Sequence, residues 1–159
     1  MNKRRCSATV VWKRGIYVNF NYEHDGQSPA ITCIGGGTGL STMLRGLKHY
    51  TSDITAIVTV TDDGGGSGRL REELSMPPPG DIRSCILALS NIEPTMEKLL
   101  SYRFSSGYLE GQSFGNLFLA AMNGITESFD KAVAKVGDVL AITGRVLPVT
   151  NDDIRLMAE

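Results

Sequence analysis

Two glycine-rich loops carry the residues of this sequence that could do chemistry. The first is Gly35-Gly36-Gly37-Thr38-Gly39, and the second is Asp62-Asp63-Gly64-Gly65-Gly66-Ser67-Gly68-Arg69. Glycine lets a ligand approach backbone N–H groups closely, and a helix that begins at such a loop adds free N–H groups and a partial positive charge. Both features favour an anion, most often a phosphate, at the first loop. The Thr38 hydroxyl could bind the same phosphate or cap the helix, and the alternative for the whole loop is a tight turn without a ligand.

The first loop matches neither of the two common nucleotide-binding fingerprints. The dinucleotide pattern G-x-G-x-x-G needs a glycine where Leu40 stands, and the Walker A pattern needs a lysine where none occurs between Gly39 and Lys48. A P-loop NTPase is therefore disfavoured. A dinucleotide fold stays open because Asp62 follows the second apolar run, where a ribose-binding acid would lie.

Two adjacent carboxylates, Asp62 and Asp63, stand beside the glycines of the second loop. They could bind a divalent cation, accept hydrogen bonds from a ribose or a base, or act as a general base. The alternative is that one of them caps a helix that begins near Gly68. Arg69 and Arg71 follow, and a guanidinium can bind phosphate through two parallel hydrogen bonds. Arg71 could equally lie on a solvated helix face.

Two further segments place polar residues at expected helix starts. Three prolines precede Gly80 and Asp81, which open a helix. Asp81 could cap that helix, or it could face the glycine loops together with Arg83 if the prolines return the chain over the sheet. Gly115 and Asn116 begin another apolar helix, where Asn116 is either a ligand contact or a cap.

The spacing of apolar residues predicts the strands that must hold these loops. Residues 30–34 and 54–60 are short apolar runs typical of buried parallel strands, and a helical pattern at 40–50 separates them. This order predicts a parallel βαβ unit with both loops at the carboxyl ends of neighbouring strands, where open α/β sheets bind ligands. Residues 144–149 are predicted as a third strand.

Apolar residues at helical spacing predict three inward-facing helix surfaces. These residues are Leu40, Met43, Leu44 and Leu47 in the first helix, Met96, Leu99, Leu100 and Phe104 after Pro94, and Phe129, Val133, Val136 and Leu140 within 128–140.

The composition indicates a soluble cytoplasmic protein with one main domain. A formal net charge of −1 gives no electrostatic reason to expect nucleic acid or an anionic membrane as partner. The three cysteines are odd in number and far apart, which favours a reducing compartment over a disulfide framework, and Cys33 is expected to be buried. No stretch reaches the roughly 20 apolar residues of a membrane helix. Residues 1–29 are expected to form an extension or a hairpin, in which 8–12 pairs with 16–20, before a domain at 30–159.

Four motifs in order resemble one protein family: GGGTGL at 35–40, TDDGGGSGRLR at 61–71, PPPGDIR at 77–83 and GQSFGNLFLAAM at 111–122. They are similar to the YvcK-like proteins, also called gluconeogenesis factors, which are related to the 2-phospho-L-lactate transferases of coenzyme F420 synthesis. The resemblance covers Ile31 to about Asp153. It implies an α/β fold, Rossmann-like and three-layered, with a mostly parallel sheet. Family members are considerably longer, so we expect a truncated domain whose unpaired sheet edge leads to a homo-oligomer or to aggregation.

The resemblance implies a regulatory protein that binds a UDP-sugar such as UDP-N-acetylglucosamine and acts in carbon metabolism, cell-wall growth and cell shape. The alternative is a magnesium-dependent transferase that uses a nucleotide diphosphate donor, in which Asp62 would hold the metal. Gln112 stands where the family usually has histidine, which argues against a protonated role there but not against a hydrogen bond. The expected ligand-binding residues are Gly35, Gly36, Gly37, Thr38, Gly39, Asp62, Asp63, Gly64, Gly65, Ser67, Arg69, Gly80, Asp81, Arg83, Gly115 and Asn116.

Overall fold

The computed structural model describes residues 5–11, 17–23, 28–62, 64–152, 154–155 and 157. Two strands, β1 (Arg5–Val11) and β2 (Tyr17–Glu23), pair antiparallel with Arg5 opposite Glu23. The elements that follow are β3 (Ile31–Gly35), α1 (Gly37–Leu47), β4 (Ile54–Val58), α2 (Gly65–Leu74), α3 (Gly80–Leu89), α4 (Pro94–Ser101), α5 (Phe114–Gly124), α6 (Phe129–Val139) and β5 (Arg145–Pro148). None of the helices in these ranges has the length and apolar character that crossing a membrane requires.

A three-stranded parallel sheet forms the centre of the domain in the order β3-β4-β5. The predicted βαβ unit and the third strand are therefore confirmed, and so is the α/β class. Cys33, Ala56 and Val146 lie side by side on one face of the sheet, and all three are buried. The cysteine in the first strand thus packs as a small apolar residue, as expected.

The helices cover the sheet on this buried face. The α3 helix contacts β4 and β5, α6 contacts β5, and α1 packs on α3. A strand order that advances in one direction with right-handed crossovers places successive helices on the same side of the sheet. On the opposite face Ile34, Ile57 and Leu147 form a row, with Ile34 74% exposed and Leu147 38% exposed.

Two helices begin inside the glycine runs and not after them. The sequence pattern predicted starts at Leu40 and near Gly68, but α1 begins at Gly37 and α2 at Gly65. Both first residues have positive φ, +66° for Gly37 and +52° for Gly65. Glycine is a poor helix former in the interior of a helix, yet it is the residue that adopts this left-handed turn without strain.

The predicted inner surfaces are confirmed for α6 and only partly for α1 and α4. Phe129, Val133, Val136 and Leu140 are all buried. In α4 only Leu100 is buried, whereas Met96 and Leu99 are 42% and 43% exposed, so the prediction for those two is wrong. The α4 helix packs mainly against α5, and only one of its eight residues is buried there. Met43 of α1 is likewise 37% exposed.

A buried thiol in α3 makes the stability of this fold sensitive to alkaline pH. Burial raises the pKa of Cys85 to about 12, and the negative charge of Asp81 and the Cys33 thiol add to the effect. The unfolded chain loses the same proton near the ordinary value of 9.0. The stabilisation is therefore fully present below pH 9 and is lost as the pH rises toward 12.

We predict that Cys85→Ala lowers the free energy of unfolding by about 1–3 kcal/mol at neutral pH, because it leaves a small void in the core. The difference between wild type and variant should shrink as the pH rises above 9. Urea denaturation at a series of pH values measures this difference. A difference that stays constant with pH would show that burial does not suppress ionisation of this thiol.

Candidate functional site

The two glycine loops lie at the same edge of the sheet. Gly35, the last residue of β3, pairs with Val58, the last residue of β4. The N–H of Thr59 then donates to the carbonyl oxygen of Gly35 at 2.8 Å, which extends the pairing into the loops. The starts of α1 and α2 are thus brought together where the parallel strands end, as the sequence predicted.

The start of α3 is bonded to the first glycine loop through Asp81. The N–H of Gly37 donates to Asp81 Oδ2 at 2.7 Å. A Cβ on Gly36 would lie 2.1 Å from Thr59 Oγ1 and 2.8 Å from Asp81 Oδ2, so only glycine fits between them. Asp81 does not cap its own helix, because the residue before α3 is Pro79 and no side chain in the described ranges caps that start. The capping alternative for Asp81 is therefore wrong.

The second glycine loop packs against the same helix start. A Cβ on Gly80 would lie 2.5 Å from Ser67 Oγ and 3.1 Å from Asp62 Oδ2, so the missing side chain allows this contact. Asp62 Oδ1 accepts a hydrogen bond from the N–H of Gly64 at 3.1 Å. The residue that precedes α2 is Gly64, and among the described residues no side chain forms a cap hydrogen bond to this helix. Capping is thus excluded for Asp62, while Asp63 lies outside the described residues.

The start of α5 supplies the third wall of the site. Ser113 caps this helix, and its Oγ accepts from the N–H of Asn116 at 3.2 Å, so the capping alternative for Asn116 is wrong. The Asn116 side chain is buried, and its Nδ2 lies 3.4 Å from Ser67 Oγ. Its Oδ1 is buried without a hydrogen-bond partner among the described residues. A Cβ on Gly115 would lie 2.7 Å from Arg83 Cδ, so the glycine makes room for that arginine.

These helix starts enclose a cleft of about 200 Å³ with a strongly polar lining. The predicted site residues that line it are Asp62, Gly64, Gly65, Ser67, Gly80, Asp81, Arg83 and Asn116. Three further residues line the cleft but were not predicted from the sequence: Gly66, Ser84 and Arg103. The predicted residues that lie outside the lining are Gly35, Gly36, Gly37, Thr38, Gly39, Arg69 and Gly115.

Two of the predicted residues outside the lining, Thr38 and Arg69, are exposed and bind other parts of the chain. Thr38 is exposed within the first turn of α1, and its carbonyl oxygen accepts from the hydroxyls of Ser41 and Thr42. Because Thr38 is already helical, it is not the cap of α1, whose flanking residue is Gly36. Arg69 is also exposed, and its Nη1 donates to the carbonyl oxygen of Glu110 at 3.0 Å.

Arg103 reaches the cleft because the segment after α4 folds back on itself. Arg103 forms an isolated antiparallel bridge with Ser113, and the N–H of Phe104 donates to the carbonyl oxygen of Gln112 at 2.9 Å. The Arg103 guanidinium also donates through Nη1 to the carbonyl oxygen of Gly111. No local sequence signal marks this position, since the approach depends on a turn between two helices.

The cleft contains charges of both signs. Asp62 and Asp81 contribute carboxylates, and Arg83 and Arg103 contribute guanidinium groups. Burial lowers the pKa of Arg83, and the positive charge of Arg103 lowers it further, whereas Asp81 raises it. The two arginines are thus like charges in one lining.

Gln112 lies behind the cleft and does not line it. Its side chain is buried, and its Oε1 would be 2.8 Å from a Cβ on Gly66. Within the described ranges this oxygen has no hydrogen-bond partner. The residue therefore packs against the first turn of α2 at Gly66.

The oxygen donors of the cleft suit a magnesium ion shared with a ligand. In the described part of the chain, no group of three or more His, Cys, Asp or Glu residues is arranged to hold a metal. Magnesium, however, commonly binds one or two carboxylates together with water and substrate phosphates. Asp62 and Asp81 provide two such carboxylates in one cleft.

Comparisons with known proteins agree with this architecture. A family model described as 2-phospho-L-lactate transferase CofD matches residues 31–159. A relative from Thermoanaerobacterium thermosulfurigenes is 70% identical over 141 residues, which are 89% of this chain and 43% of the relative. The gluconeogenesis factor of Bacillus subtilis is 58% identical over 135 residues, which are 84% of this chain and 43% of that protein. A crystal structure of a UPF0052 family member from Bacillus halodurans has a TM-score of 0.73 at 50% identity, over 79% of this chain and 41% of that one.

The fold and the cleft define a Rossmann-like α/β domain with a polar site at the carboxyl ends of its parallel strands. More particularly, the chain belongs to the CofD family, and its relatives there include gluconeogenesis factors. The resemblance inferred from the four motifs is thereby confirmed. The chain spans about two fifths of the length of these relatives.

We predict that Gly36→Ala lowers the free energy of unfolding by about 1–3 kcal/mol, because the new methyl group must displace Thr59 or Asp81. Gly46→Ala is the matched control, since a Cβ on this exposed glycine of α1 would meet nothing within 4 Å. The control should raise stability by about 0.5–1 kcal/mol through better helix propensity. Thermal and urea denaturation of both variants measure the two effects. Equal changes in the two variants would mean that the Gly36 contact does not constrain the site.

Proposed function

We propose that the chain is the nucleotide-sugar-binding part of a regulatory protein linked to carbon metabolism, cell-wall growth and cell shape. The observation that carries the proposal is the polar cleft in which the starts of α2, α3 and α5 meet at the end of β4. Backbone N–H groups at helix starts favour phosphate groups. The relative from Bacillus subtilis, which is named a gluconeogenesis factor, supports the link to carbon metabolism.

The polar groups of the cleft match the chemistry of a nucleotide sugar. Such a ligand carries a diphosphate, which needs positive donors, next to sugar hydroxyls, which need acceptors. Arg83 and Arg103 are donors, whereas Asp62 Oδ2 and Asn116 Oδ1 are acceptors. Asn116 Oδ1 is buried and has no hydrogen-bond donor among the described residues. A sugar hydroxyl would supply such a donor.

The size of the cleft supports a role for it in binding the charged centre of such a ligand. Sites that enclose a drug-sized molecule measure about 300–1,000 Å³, whereas this cleft measures about 200 Å³. The diphosphate and the adjoining part of the sugar would lie in the cleft. The remaining groups of the ligand would extend beyond the lining residues.

A magnesium-dependent transferase that uses a nucleotide diphosphate donor is the second candidate. The match to a model described as a transferase favours it, as do two carboxylates in one cleft. In that case Asp62 would hold the metal with Asp81 as a second oxygen donor. A bound magnesium ion would neutralise the negative charge of the donor phosphates. Magnesium dependence therefore separates the two candidates.

We predict that the full chain binds UDP-N-acetylglucosamine equally well with magnesium and with EDTA in isothermal titration calorimetry. Phosphate held by N–H groups and guanidinium groups needs no metal. Binding that requires magnesium would support the transferase, which a guanylyl donor and a product assay would then test. Absence of binding by the folded chain under both conditions would contradict the proposal.

We predict that Asp62→Asn weakens UDP-N-acetylglucosamine binding by about 10-fold, because a charged acceptor for a hydroxyl becomes neutral. Asp53→Asn is the matched control, since this exposed residue precedes β4 at the opposite end of the strand from the cleft. Calorimetry of both variants in EDTA measures the effect. Equal affinity in the two variants would remove Asp62 from the site.

A further inference from the structure

We propose that Arg83 and Arg103 together form the diphosphate subsite of the cleft, in place of the first glycine loop that the sequence favours. This inference rests on the proposed function and specifies which side of the site receives the negative charge. The ligand class is a diphosphate, either free or as part of a nucleotide sugar.

Arg83 is held in place with donors still available. Its Cδ packs where Gly115 lacks a side chain, which fixes the stem of the arginine against α5. Its Nε is buried and has no hydrogen-bond partner among the described residues. The one hydrogen bond of its guanidinium in these ranges is a long contact of 3.4 Å from Nη2 to Ser84 Oγ. A buried guanidinium donor without an acceptor is unfavourable, so an anionic oxygen is the expected complement.

Arg103 brings a second positive charge to the same lining. Its Nη1 bond to the carbonyl oxygen of Gly111 and its bridge to Ser113 fix the residue in the folded-back segment. Within the described residues, neither Arg83 nor Arg103 forms a salt bridge with a carboxylate. Both guanidinium groups line the same cleft, so an anion between them would offset the repulsion of two like charges. Guanidinium groups bind phosphate oxygens in pairs of parallel hydrogen bonds, which suits a diphosphate.

The first glycine loop is a weaker phosphate site in this fold. The N–H of Gly37 already donates to Asp81 Oδ2 at 2.7 Å, so a carboxylate lies at the start of α1. A phosphate there would have to displace this carboxylate or accept its repulsion. None of residues 35–39 lines the cleft, whereas both arginines do.

The test is calorimetry of the full chain with inorganic pyrophosphate and, separately, with UDP-N-acetylglucosamine. The variants are Arg83→Gln, Arg103→Gln and the control Arg45→Gln, which removes the same charge from an exposed site in the last turn of α1. Each cleft variant should lose about 10-fold or more in affinity for both probes, while the control should change little. The dependence of affinity on salt should also be weaker in the cleft variants, because one charge contact is lost.

The outcomes separate this inference from the proposed function. If wild type binds UDP-N-acetylglucosamine and the two cleft variants behave like Arg45→Gln, the inference is overturned and the function stands. If wild type binds pyrophosphate through both arginines but binds no nucleotide sugar, the inference stands and the function fails. A folded chain that binds neither probe overturns both.

A further variant covers the case in which Arg103→Gln does not fold, as judged by circular dichroism. Arg103→Lys keeps the charge but cannot donate two parallel hydrogen bonds. It should bind pyrophosphate more weakly than wild type and keep the salt dependence of wild type. Unchanged affinity in this variant would overturn the role of Arg103.

Discussion

One hydrogen bond, from the N–H of Gly37 to Asp81 Oδ2, joins the first glycine loop to a helix start that lines the cleft. It spans 2.7 Å and connects residues 44 positions apart in the sequence. Because the acceptor is a carboxylate at the positive end of α1, the bond is stronger than one between neutral groups. It holds the start of α3 against the start of α1. This position of α3 also places Gly80 against the second glycine loop and Arg83 against Gly115 of α5.

The glycines of the site serve close packing as well as backbone conformation. Gly37 and Gly65 take the left-handed conformation that begins α1 and α2. Gly36 and Gly80, by contrast, lie where any side chain would collide with Thr59 or Ser67. The glycine-rich motifs therefore mark positions where neighbouring helix starts pack closely together. This explains how so small a domain gathers backbone donors, two acids and two arginines at one edge of a short sheet.

The fold could be predicted from the sequence because its elements depend on local pattern. The β-branched run of β4 and the apolar spacing of α6 are local properties, and both elements were found where they were expected. The predictions of buried residues failed where a contact between helices, and not the local pattern, determines which side chains are buried. Met96 and Leu99 have helical spacing but are partly exposed, because Leu100 is the one residue of α4 that is buried.

The site could be predicted only in part, because some of its residues belong to a local motif and others reach the cleft through tertiary contacts. Asp62 and Ser67 lie in the second glycine loop, whose composition already indicated a ligand, and both line the cleft. Arg103 could not be found, because it reaches the cleft only through the folded-back segment before α5. Nor could the sequence show that Asp81 occupies the start of α1, since its position beside Gly80 is equally typical of a helix cap.

We claim that this cleft binds the ligand, and NMR of the ¹⁵N-labelled chain with added UDP-N-acetylglucosamine can locate the binding site. We predict shifts of the backbone amide signals of Gly64, Gly65 and Ser67 and of the Arg83 side-chain Nε–H signal. The amides of Gly46 and Gly124, which lie at the far ends of α1 and α5, should not move. Shifts confined to residues outside the cleft, or none at a saturating ligand concentration, would contradict this claim.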